Sequence, residues 1–189
     1  MHVEDDRDMK IAGDDFEPVE RPDAREGDDE AALLEQEKEN GNLSRARRLG
    51  AIMADEVSSV EGDSRTADSA LLTQRRILLA FAVEVGLDAL LPNSLDAQTA
   101  QTVFYNTLRT TAPQFYDDLQ ASGAFSFYYL CVRDGRQVEE KVGETFASLC
   151  GRAGDAAYAR MGRELYQRFA GQVRQLVDTL EFVREPQKG

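Results

Sequence analysis

The chain has 189 residues, 42% of them hydrophobic, and a formal net charge of −13, which suits one ordinary domain with additional chain. The acidity is lopsided: residues 1–65 carry 20 Asp and Glu against 9 Lys and Arg, and residues 66–189 carry 15 against 13. The single histidine is His2, so Ser-His-Asp and Cys-His nucleophiles, HExxH zinc sites and carboxylate–histidine di-iron bundles are excluded from the rest of the chain.

Residues 1–65 read as an acidic, largely disordered arm with one or two short marginal helices. Phe16 is the only aromatic residue in that stretch. Low hydrophobicity and like-charge repulsion leave residues 1–28 without enough burial to offset chain entropy. Asp28, Asp29 and Glu30 before Ala31-Ala32-Leu33-Leu34 predict a first helix, stopped by Asn40-Gly41. Ser44 is the expected cap of a second helix through about Val60, with Leu49, Ile52, Met53, Val57 and Val60 on one face. Short helices of this kind are marginal alone. The second has an apolar face with which to dock on the domain that follows.

Residues 66–185 predict an all-α domain, an irregular helical bundle of about five helices with a long C-terminal helix; 186–189 read as a disordered tail. A central helix is expected over 67–91, apolar on most sides from Ile77 to Leu91 and ended by Pro92. That apolar run is broken by Glu84 and Asp88 and falls short of the roughly 20 residues of a bilayer span. No secretory leader is legible in the acidic N-terminus. Asn93 or Ser94 then caps a helix through about Thr110, with Asp96 in its first turn and Ala97, Ala100, Phe104 and Leu108 on one face. Pro113 opens a short helix to about residue 121.

The apolar run Ala124–Val132 fits a buried strand or a buried helix. Helix is the reading adopted, because no second strand is available to pair its backbone. A helix from about Gln137 to Cys150 carries Val138, Val142, Phe146 and Leu149. The last helix, about Ala156–Val183, shows Gly162, Tyr166, Phe169, Val173, Leu176, Leu180 and Val183 at alternating steps of four and three, a heptad seam flanked by Tyr158, Met161 and Leu165. The seam either closes the domain's own bundle or supplies a dimer face.

The chemistry on offer is thin. Cys131 and Cys150 sit in apolar surroundings and read as reduced, buried thiols of a cytoplasmic protein. No Gly-rich phosphate loop occurs. Glu84 and Asp88, one turn apart, form a carboxylate stripe that would serve a metal-dependent hydrolase only if other acids met it across a cavity. A buried Glu84 requires an Arg or a hydrogen-bond donor. The rings of Phe125, Phe127, Tyr128 and Tyr129 lack the register of an RNA-stacking octamer and read as core. Arginine is concentrated late, at Arg152, Arg160, Arg163, Arg168 and Arg174. Arg160, Arg163 and Arg174 form one side of the last helix, either a solvated face or an anion-binding face shielded by the acidic arm.

The leading expectation is therefore a non-enzymatic helical interaction or regulatory protein with protein partners, self-association through the last helix included. The alternatives are an anion- or nucleic-acid-binding regulator gated by its arm and a carboxylate-metal hydrolase. No catalytic residue, cofactor or metal site is assigned, and neither nucleic acid nor membrane is an expected partner.

Overall fold

A computed structural model of the chain describes residues 24–60 and 69–184, with side chains in the first span from residue 29 onward. Among these residues there are eight helices and no strand: α1 (Ala24–Glu39), α2 (Asn42–Ser58), α3 (Ser69–Leu90), α4 (Ser94–Thr111), α5 (Pro113–Ser122), α6 (Ala124–Val132), α7 (Val138–Leu149) and α8 (Ala156–Thr179). The all-α bundle expected from the sequence is the architecture found. Six helices rather than about five follow residue 66. None is long and apolar enough to cross a membrane among the described residues. The disorder expected of residues 1–28 concerns, over 1–23, residues outside those described, as does the expected tail at 186–189. Residues 24–28 belong to α1.

Packing begins well before residue 66. Leu49, Met53 and Val57 of α2 are fully buried, as are Ala46 and Ala54. Three of the five residues of the face predicted for this segment thus lie in the main core, with Ile52 and Val60 half-buried, and α2 is docked on the bundle. Two features seat it against α4 and α3. Gly50 removes the side chain at the crossing, where a Cβ would stand 2.2 Å from the Ala100 carbonyl oxygen. Arg76 of α3 donates to the Ser58 and Val60 carbonyls at 3.0–3.2 Å and so satisfies the open end of α2. The helix starts at Asn42 rather than at Ser44, because Gly41 turns the chain in the left-handed region (φ 82°).

α3 is the centre. Seven consecutive residues, Ile77 to Val83, are buried, as its near-continuous apolar circumference requires. It touches α2 and α4 as well as α7 and α8. The contact with α8 is close at Gly86, where a Cβ would meet Val173 Cγ1 at 2.7 Å. α7 and α8 approach in the same way, through Gly143 under the Ala159 carbonyl and Gly162 under the Phe146 ring. α4 buries Ala97, Ala100, Phe104 and Leu108, the face expected from spacing alone.

Two expectations for α8 shift. Its buried stripe is Leu165, Phe169, Val173 and Val177, with Tyr166, Leu176 and Leu180 only half-buried. Steps of four place the stripe between two neighbours, α3 and α7, rather than along a two-helix seam. The helix also stops at Thr179, not near Val183. Glu181 adopts φ 52°, and the turned chain brings the Val183 backbone to Asn42.

Candidate functional site

The outer face of α6 is the most apolar exposed surface of the described residues. The helix is anchored from beneath. Ala124, Tyr128 and Cys131 are buried, and Phe81 of α3 gathers its rings: Phe125 at 5.5 Å, Tyr128 at 5.1 Å and Tyr129 at 5.3 Å between centroids. Successive residues of a helix point 100° apart, so a nine-residue helix seated by one side must turn the rest outward. In α6 that remainder is apolar. Phe127 is 55% exposed and Leu130 61%, with Tyr129 at 40%. Ser126, Arg133 and Arg136 are exposed beside them. Of the four rings expected in the core, Tyr128 is buried, Phe125 is half-buried, and Phe127 and Tyr129 face out.

Behind this face lies the carboxylate stripe. Glu84 is half-buried and accepts from Tyr105 at 2.6 Å and from Tyr129 at 3.4 Å. Asp88 is exposed and accepts from Gln101 at 2.8 Å. Both acids of α3 therefore meet neutral donors, mostly on α4, and not further acids. Among the described residues no three Asp, Glu, His or Cys side chains come together as a metal-holding group. Burial first, and the charge of Glu84 after it, push the Tyr129 phenol up to about 12, while burial and then the hydrogen bond to Glu84 hold that of Tyr105 far above its usual value. Both phenols are donors over the whole physiological range, which fixes Tyr129 as a hydrogen-bonded post at the edge of the α6 face.

The arginines divide. Arg160 and Arg163 line a cleft of about 560 Å³ between α7 and α8, opposite Glu140 and Glu144, with Asp155 at its end. Asp155 caps α8 by accepting from the Ala157 and Tyr158 amides. Three acids and two arginines share this cleft, so its electrostatics are mixed. Arg174 is exposed and is not among the cleft residues. Arg152 and Arg168 lie over the rings of Tyr158 and Phe169, at 5.6 and 5.1 Å, where they cover apolar surface.

A second cleft, of about 440 Å³, opens between α3, α5, α7 and α8 and is walled by Gln74, Ile77, Asp118, Leu149 and Tyr158. Its size is within the range of small-molecule sites, and its lining mixes polar groups such as Thr73, Gln74 and Asp118 with the apolar Ile77 and Leu149. Comparison with protein-family models, curated proteins and solved structures finds no match for the chain.

Proposed function

We propose that this chain is a non-enzymatic, cytoplasmic interaction protein whose helical bundle presents the outer face of α6 to a protein partner. The observation that carries this reading is the exposure of Phe127 and Leu130 on adjoining positions of one short helix. Each exposes more than half of its area, on a helix whose inner face is seated on the Phe81 ring cluster. Large apolar side chains grouped on a rigid, otherwise polar surface mark interaction sites. Aromatic residues and arginine are the usual anchors there, and the exposed Arg133 and Arg136, with Asp134 between them, follow the end of α6. The partner that fits is an apolar segment with acidic flanks.

The neutral donors around Glu84 and the mixed charge of the Arg160–Arg163 cleft supply no comparable support for a hydrolase or for an anion site. The α8 stripe is consumed within the bundle, which leaves α6 as the better-supplied surface for self-association too. Site-specific photo-crosslinking tests the reading. A photoreactive residue at Leu130, in the full chain expressed in its own cells, is expected to give a discrete protein adduct. The same group at exposed Gln120 is expected to give none. Equal labelling from both positions would overturn the proposal.

A further inference from the structure

Two carboxylates are buried near the α1–α2 turn and in the first turn of α4, close enough for the charge of Glu37 to act on Asp96. Glu37 of α1 is 3% exposed and Asp96 of α4 is 0% exposed. Glu37 Oε2 accepts from Asn42 Nδ2 at 2.6 Å and from Asn40 Nδ2 at 3.0 Å. Asn42, itself fully buried, clasps the far end of the chain. Its Nδ2 donates to the Val183 carbonyl at 2.8 Å, and the Val183 amide donates back to its Oδ1 at 2.9 Å. Asp96 is less well supplied. Asn93 Nδ2 donates to its Oδ2 at 3.3 Å, while its Oδ1 is buried with no hydrogen-bond partner.

No cation offsets the pair among the described residues. From α1 the charged group facing Asp96 is Glu37. From α2, Arg45 spends its guanidinium on the Asn40 carbonyl at 2.7 Å and on Asn42 Oδ1 at 3.4 Å. The C-terminal segment brings Arg184, which donates to the Leu90 carbonyl at the end of α3. A buried carboxylate with an unfed oxygen, beside a second carboxylate, is costly unless it takes up a proton.

We infer that Asp96 and Glu37 form a proton-operated latch, closed when Asp96 is protonated, that holds the end of α1 and the Val183 clasp against α4. Glu37 is the one fully buried residue among those of α1 whose side chains are described, so the hold on this helix is concentrated at the latch. Burial, and the charge of Glu37 after it, raise Asp96 from 3.8 to about 6, against a smaller opposing effect of the Asn93 hydrogen bond. The folded chain therefore holds this proton more tightly than the unfolded chain does. The contribution is complete below the ordinary carboxylate range and is lost as pH rises through about 6. A displacement of this size corresponds to about 100-fold in the equilibrium between closed and open states.

Amide hydrogen exchange on the full chain, corrected for the intrinsic pH dependence of exchange, tests the latch. Protection of residues 33–39 and 42–46 is expected to fall by about tenfold, the share of the linkage that lies between pH 5 and pH 7.5, with α7 unchanged. Asp96→Asn, which carries no titrating proton, should give a flat profile over that range. Glu37→Gln, should Asp96→Asn fail to fold, should move the fall to lower pH. Parallel profiles for wild type and both variants would overturn the latch. So would a gain in protection at pH 7.5 on adding Ca²⁺ that Asp96→Asn abolishes, since the pair would then hold a cation and not a proton.

Discussion

Gly50 of α2 lies so near Ala100 of α4 that a Cβ at position 50 would stand 2.2 Å from the Ala100 carbonyl oxygen and 3.0 Å from the Phe104 amide nitrogen. Backbone cannot yield as a flexible side-chain end can. Gly50→Ala is expected to destabilise the fold by about 1–3 kcal/mol in urea unfolding, the usual cost of forcing extra volume into a packed contact. The matching substitution in α8, Gly171→Ala, meets nothing within 4 Å. It should stabilise by about 0.5–1 kcal/mol, because alanine loses less backbone entropy in a helix than glycine.

Leu49 and Met53 decide whether α2 is core or arm. Both are completely buried, so truncation to alanine should cost about 2–5 kcal/mol each. A helix merely resting on the surface would lose under about 0.5 kcal/mol. Denaturant midpoints of the two variants distinguish the cases.

Arg76 joins α3 to the Ser58 carbonyl at the end of α2 and to the Val60 carbonyl just beyond it. Hydrogen bonds from a charged donor contribute roughly 1.5–3 kcal/mol in total where the site is shielded, and Arg76→Ala should cost an amount in that range. Arg76→Lys should recover only part of it, since an ammonium cannot reproduce the planar fork. Thermal unfolding of the three proteins is sufficient to compare them.

Alkaline pH should act through the tyrosines. Tyr105, Tyr128, Tyr129 and Tyr166 are all raised, with burial the first cause in each. The folded state keeps these phenols protonated at pH values where the unfolded chain releases them. Their stabilising contribution is therefore intact below the ordinary phenol value near 10 and falls as pH climbs above it. Absorbance at 295 nm should show fewer than the six phenols of the chain titrating near pH 10, the remainder appearing with unfolding. Ionisation of all six in one step near 10 would contradict the burial.

Much of the bundle can be read in the chain itself. α4 is the clearest case: Asn93 accepts from the Asp96 amide at 2.9 Å, and the apolar positions at helical spacing are the buried ones. The run 124–132 is a helix, as the lack of a pairing strand required. α2 was obscured because its surroundings are acidic, while its own Arg45, Arg47 and Arg48 outnumber Asp55 and Glu56. Charge summed over 65 residues hides a segment of 17. Asp96 reads from sequence as a favourable first-turn acid, but burial and then the charge of Glu37 outweigh the Asn93 hydrogen bond and raise its pKa. The exposure of Phe127 and Leu130 and the burial of both Glu37 and Asp96 depend on how helices cross, which spacing along one helix does not encode.

The most direct measurement on the α6 face combines Phe127→Ser with Leu130→Ser and places the photoreactive group at the adjoining Ser126. A surface that serves a partner must be separable from the fold. The double variant is expected to unfold within about 2 °C of wild type, as surface substitutions usually do, and to lose the adduct formed from position 126. A large drop in unfolding temperature, or an adduct that persists undiminished, would contradict the account.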